Sequence, residues 1–181
     1  MTYELNETRK FIPINFAILT VSDSRTETDD KSGDLLQKLI QTDGHKIVER
    51  LIIPDDQNLI SKTLLDWSLE EEIEAIISTG GTGLTGRDVS VEGHRKVYDK
   101  EIDAFSTLFT SISVEKIGTS AVQSRACAGI TNGTFLFALP GSPSACKDGW
   151  TKILAKQFDY RHMPCNFVEL IPRLLEDDRR K

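Results

Sequence analysis

The residues from Thr79 to Gly83 read Thr-Gly-Gly-Thr-Gly and directly follow an apolar run. Glycines at 80, 81 and 83 let a backbone approach a ligand closely and turn successive N–H groups toward an anion. The hydroxyls of Thr79 and Thr82 add donors, so the chemistry expected of this loop is a phosphate or pyrophosphate cradle. A tight turn chosen for geometry alone is the alternative. Gly81 to Asp88 reads G-x-x-x-x-G-R-D, a near-miss of the nucleotide P-loop. Asp88 stands where that loop needs the hydroxyl that holds Mg²⁺. The dinucleotide spacing G-x-G-x-x-G is not met either.

Asp88 lies five residues beyond Gly83, and Asp55 ends a neighbouring predicted strand. Both can point into one crevice. Two carboxylates about 4 Å apart repel by roughly 4 kcal/mol at an effective dielectric of 20, and a shared cation removes that penalty. Hard oxygen ligands beside a phosphate loop suit Mg²⁺, which takes one or two carboxylates and completes its shell with water and substrate phosphates. A helix cap at Asp55 and a solvated loop acid at Asp88 fit the spacing equally well. Pro140-Gly141-Ser142 opens a helix, giving a second anion site from free N–H groups and a hydroxyl, or an ordinary N-cap serine. Ser22 and Ser24 offer a weaker version of the same signal. Arg125 reads as a surface arginine, with balancing of ligand charge the alternative, and His45, His94 and His162 read as structural.

These residues need strands to carry them. FAILTV within 14–21 predicts a first strand. A helix follows, capped by Ser32, with Leu35, Leu36, Leu39 and Ile40 on one face and a stop at Gly44. A second strand spans 47–53, closed by Pro54. Asp55 or Asp56 then caps a helix carrying Leu59, Ile60, Leu64 and Trp67. A third strand, 73–79, runs into the glycines. Residues 91–115 read as mostly helical, with Ile102, Phe105, Leu108, Phe109 and Ile112 at helical spacing. Strands at 126–131 and 134–139 flank Asn132-Gly133, a hairpin signal. A last helix then contains Ala145, Trp150, Ile153 and Leu154. Alternating strands and helices predict an α/β fold, a three-layer α/β/α sandwich with a mainly parallel sheet and one antiparallel hairpin strand. Ligands then bind beyond the carboxyl ends of the strands. The expected division is an N-terminal extension at 1–13, a binding domain at 14–170 and a charged tail at 171–181, frayed from Glu176.

With 181 residues, 22 basic against 28 acidic side chains and a net charge of −6, the chain reads as one globular domain able to form a core unaided. It has no cationic face to suit nucleic acid or an anionic membrane. No apolar run nears the roughly 18 residues of a membrane span, and no signal-peptide pattern opens the chain, so a cytoplasmic protein is expected. Cys127, Cys146 and Cys165 form neither a disulfide framework nor a zinc motif, and read as reduced thiols in or near the core.

The segments AILTVSDSR, DDKSG, IIPDDQ, STGGTGLTGRDVSVE, IGTSAVQSRACAGI and FALPGSPSACKDGW, spread from Phe16 to Trp150, together resemble the MoaB/Mog family of molybdenum cofactor biosynthesis. The resemblance implies a domain that assembles as a trimer or hexamer and works with other proteins of that pathway. Active members transfer AMP from Mg-ATP to the terminal phosphate of molybdopterin, yielding adenylyl-molybdopterin and pyrophosphate. By the same resemblance, Thr79, Gly80, Gly81, Thr82, Gly83, Pro140, Gly141 and Ser142 receive molybdopterin and its phosphate. Asp55 and Asp88 become the catalytic, Mg²⁺-holding acids. Ser22, Asp23, Ser24, Ser32 and Gly33 become candidate nucleotide-binding positions. Ser90 and Val91 depart from the threonine and proline common in the family after RDV. Some B-type members lack the transferase activity, which leaves a non-catalytic molybdopterin- or precursor-binding module as the alternative function.

Overall fold

A computed structural model describes residues 5–176. Six strands form one sheet: β1 (Asn15–Val21), β2 (Lys46–Ile53), β3 (Ala75–Thr79), β4 (Lys100–Glu101), β5 (Cys127–Thr131) and β6 (Thr134–Leu139), in the order β2-β1-β3-β6-β5-β4. The first four in that order run parallel, and β5 is antiparallel to both neighbours. The sheet is therefore mainly parallel with a single reversed strand, as the hairpin signal at Asn132-Gly133 predicts. Asn132 and Gly133 both adopt positive φ, the backbone that such a two-residue turn requires.

The period-two alternation of the strands sorts their side chains into two cores. Phe16 and Ile18 of β1, Ile77 of β3, and Phe135 and Phe137 of β6 face a core completed by α1 (Lys31–Thr42), α4 (Asp103–Ile117) and the last helix. Ala17, Leu19, Ile76 and Leu136 face the other side, against Ile60 and Leu64 of α2 (Gln57–Ser68). Phe16 meets Trp150 edge to face at 5.4 Å, and the Trp150 indole N–H donates to Asp43 at 2.7 Å. Helices cover both faces, which makes the three layers. Among the described residues no helix is long and apolar enough to cross a membrane.

Three local expectations are corrected. The N-cap of α1 is Asp30, whose carboxylate accepts from the Gly33 N–H, and Ser32 sits buried inside the first turn. The helical run from residue 91 is interrupted: α3 (Ser90–Arg95) ends and β4 pairs with β5 before α4 begins. The apolar spacing is the same in either case, but Tyr98 packs flat over Gly129, where a Cβ would lie 2.4 Å from the ring. That tertiary contact decides the chain path. Third, Cys127 and Cys146 are buried as expected but Cys165 is exposed and does not pack in the core. The last helix forms as expected, α5 (Pro143–Gly149) continuing through a wide turn at Trp150–Leu154 into α6 (Ala155–Gln157).

Residues 5–13 pack against the body of the domain. Leu5 bridges to His162, Arg9 pairs with Glu169, and Phe11 lies against His45. Residues 171–173 form a short helical turn. The rest of the charged tail, 177–181, lies outside the described residues.

Candidate active site

The parallel strands β1, β3 and β6 deliver their carboxyl ends to one rim, where a cleft of about 420 Å³ opens. Ser22, Ser24, Asp55, the Gly80–Gly83 segment, Asp88, Pro140 and Gly141 all line it, with Arg25, Gln123 and Ser124 beside them. A larger cavity of about 630 Å³ lies beside β2 and contains neither glycine loop. Of its two arginines, Arg50 pairs with Asp30 and Asp34 at 2.9 and 2.8 Å, while Arg25 stands 3.7 Å from Asp30 and also lines the smaller cleft. The smaller cleft is the candidate site because it gathers both glycine loops and both acids.

The glycine loop is built to the limit of close approach. Gly80 and Gly81 have φ of +101° and +59°. A Cβ on Gly80 would sit 2.2 Å from the Val21 carbonyl oxygen, and Gly141 touches Gly80 so closely that its Cβ would lie 3.1 Å from the Gly80 Cα. The two loops thus form a continuous floor. Beneath it, buried hydroxyls hold carbonyls inward, Thr79 donating to Pro140 O at 3.1 Å and Ser32 to Gly141 O at 2.8 Å, and at its edge the half-buried Arg25 donates to Gly141 O at 2.6 Å. Ser90 is fully buried and donates to Gly80 O at 2.7 Å, while its backbone N–H reaches Gly81 O. With trans peptides, carbonyls turned down leave N–H groups turned the other way.

Several residues expected on the cleft surface therefore serve below or beside it. Thr79, Ser32 and Gly33 are buried supports. The Ser142 hydroxyl accepts from the Ala145 N–H at 3.2 Å as the N-cap of α5. Asp23 makes a two-pronged ion pair with Arg87 and accepts the Asp55 N–H at 3.1 Å, joining three loops. Asp56 caps α2 by accepting the Leu59 N–H, which leaves the Asp55 carboxylate available to the cleft.

The two cleft acids are held differently. Partial burial, then the charges of Asp23 and Asp88, push the Asp55 carboxyl above its ordinary range, and the Asp23 N–H and Arg87 offset only part of this. The Thr85 hydroxyl at 2.6 Å pulls the Asp88 carboxyl below its ordinary range against a small burial cost, aided by the N–H groups of Thr85 and Gly83 and by Arg125. Among the described residues no three histidine, cysteine or carboxylate side chains gather as a metal cage. A pair of acids lining one cleft instead offers the hard oxygen donors that suit a cation able to fill its shell from water and substrate. Asp55, where the charges of Asp23 and Asp88 are only partly offset by Arg87, is the acid that would gain most from one.

Residues 17–160 match the family model described as a probable molybdopterin binding domain. The chain belongs to the MoaB/Mog family. The molybdenum cofactor biosynthesis protein B of Escherichia coli strain K12 is 42% identical over 158 residues, spanning 87% of this chain and 93% of that protein. A Methanocaldococcus jannaschii protein named probable molybdopterin adenylyltransferase is 42% identical over 142 residues, 74% of this chain and 83% of its own. A solved structure of molybdenum cofactor biosynthesis protein B superposes with a TM-score of 0.79 at 32% identity, over 96% of this chain and 100% of that one. In this MoaB/Mog chain the residues missed by spacing are Ser90, Gln123, Ser124 and the two arginines Arg25 and Arg125. Ser90 was visible only as a departure from the family threonine, and it keeps the hydroxyl that ties the glycine loop to α3.

Proposed function

We propose that this chain is a molybdopterin adenylyltransferase of molybdenum cofactor biosynthesis. The observation that carries the reading is the pair of carboxylates, Asp55 and Asp88, lining one cleft whose floor is made of glycine-loop N–H groups. Asp55 and Asp88 would hold Mg²⁺, which when bound supplies positive charge against the ATP phosphates. The Gly80–Gly83 and Pro140–Gly141 backbones hold the terminal phosphate of molybdopterin. One of its oxygens forms the new bond to the α-phosphorus of ATP, the bond from that phosphorus to the bridging oxygen breaks, and pyrophosphate leaves with the electron pair. The attacking phosphate is already an anion, so no general base is required, in keeping with a cleft that has acids and amides but no histidine. Positioning and charge stabilisation supply the rate.

A homo-oligomer, trimer or hexamer, accompanies this reading. Leu108, Val114 and Ile117 of α4 and Val122 just beyond it are exposed apolar side chains that a second copy would cover. So do a cytoplasmic setting and contact with other enzymes of the pathway. The test is pyrophosphate release from Mg-ATP with molybdopterin supplied. Release dependent on both substrates is the expected result. Tight molybdopterin binding without release above background would replace the transferase reading with a non-catalytic binding and assembly module.

A further inference from the structure

The Gln123-Ser124-Arg125 segment closes one side of the cleft, with Gln123 and Ser124 lining it. Arg125 stands behind them. Its Nε donates to Thr82 O at 2.9 Å and Gly83 O at 3.1 Å, and its Nη2 donates to Asp88 O at 3.2 Å. Glu92, in the first turn of α3, accepts from Nη1 at 2.5 Å and from Nη2 at 3.2 Å. Of the five guanidinium N–H groups, at most one is left, so Arg125 is not a spare cation for a ligand phosphate. It is a fastener whose planar fork fits several acceptors at once.

What it fastens matters. The Thr82 carbonyl and the Gly83 N–H belong to one peptide plane and point in opposite directions. Arg125 holds the carbonyl, and the N–H on the other side is turned toward the Asp88 carboxylate. A Cβ on Gly83 would lie 2.7 Å from Asp88 Oδ2, so the carboxylate rests directly on this peptide. Arg125 also grips the Asp88 backbone carbonyl. We propose that Arg125, braced by Glu92, is a positioning residue for Asp88, orienting its carboxylate through the Thr82–Gly83 peptide alongside the direct hold of Thr85.

The inference rests on the reading of Asp88 as a metal-facing acid, and its sign separates positioning from simple charge. A positive group near a cation site repels the cation, so losing the charge alone would tighten metal binding. Losing the position weakens it. The probe is Mn²⁺ alone, titrated calorimetrically into the purified chain. Arg125→Lys, which keeps the charge but not the fork, is expected to weaken Mn²⁺ binding about tenfold, the lower end of what outer partners of metal ligands contribute. Arg125→Gln should weaken it as well, despite the lost repulsion. Glu92→Gln, a gentler change should the arginine variants fold poorly, is expected to give a smaller loss in the same direction. Binding by Arg125→Lys within twofold of wild type, or tighter binding by Arg125→Gln, overturns the proposal.

If the wild-type chain binds no Mn²⁺, it is the metal reading of Asp55 and Asp88 that fails. Hydrogen exchange over 82–88 then decides the role of Arg125 by itself. Faster exchange at the Gly83 amide in Arg125→Lys supports positioning, and an unchanged rate overturns it.

Discussion

The two walls of the cleft hold their acids by opposite means. On the β2 side, Asp55 sits half-buried with Asp23 and Asp88 for neighbours, and its carboxyl is pushed up. On the glycine-loop side, Asp88 is gripped by the Thr85 hydroxyl and N–H and by the Gly83 N–H, with Arg125 behind, and its carboxyl is pulled down. One acid is strained by its surroundings and the other is satisfied by them. Under the proposed Mg²⁺-dependent reading, this division has a use. The satisfied acid is pre-aligned, while the strained one provides the drive, since its repulsion is relieved only when positive charge arrives.

The comparison breaks most visibly in turnover. Asp88→Ala is expected to lower the rate of pyrophosphate release at least about a hundredfold, because charge stabilisation by a metal is worth several kcal/mol. Asp55→Ala should do the same. A large loss at one acid only would mean that the two do not share one cation. Gly81→Ala comes next. Its φ of +59° costs an L-residue about 1–2 kcal/mol, and the new Cβ would lie 2.4 Å from Asp55 Oδ1 and 2.5 Å from Ser90 Oγ. The flexible end of Asp55 yields more readily than buried Ser90. We therefore expect a modest fall in melting temperature but a drop of tenfold or more in turnover, read by calorimetry and by the same assay.

The strained wall was the more legible of the two in the sequence. Local rules placed Asp55 at a strand end, through an apolar run, a proline that ends it and two aspartates of which one caps the next helix, while its role in the site came only with the family resemblance. The glycine loop was equally plain, since three positions without a Cβ announce close approach wherever they fall. What fastens the satisfied acid from behind was not legible. Arg125 reaches Thr82 across 43 positions of chain and Glu92 across 33, and no periodicity records a contact between a side chain and a distant carbonyl. The same limit explains β4, a two-residue edge strand defined by its partner β5. It also explains the buried hydroxyls of Thr79 and Ser32, which looked like ligand donors because their acceptors, Pro140 O and Gly141 O, arrive from the other end of the domain.

The smallest expected effect is also the sharpest test of the contrast, because the two acids should change stability with opposite signs when no metal is present. Asp55 has a folded-state pKa above its unfolded value. Its stabilising contribution is thus fully present below about pH 3.8, the unfolded value, and is lost as pH rises through the folded pKa. At neutral pH it therefore carries an electrostatic penalty, and Asp55→Asn is expected to raise the melting temperature by on the order of 1 °C, a small shift because the site is partly solvated. Asp88 has a lowered folded-state pKa. Its contribution is present above the unfolded value and lost as pH falls through the folded one, so Asp88→Asn should lower the melting temperature at neutral pH by at least as much. Acid distinguishes charge from packing. Near about pH 3 Asp55 is already protonated in the folded chain, so the gain from Asp55→Asn should vanish there. Scanning calorimetry of both variants at pH 7 and pH 3 would measure this. A gain that persists undiminished in acid would assign the strain at Asp55 to packing against the glycine loop instead of to the charges of Asp23 and Asp88.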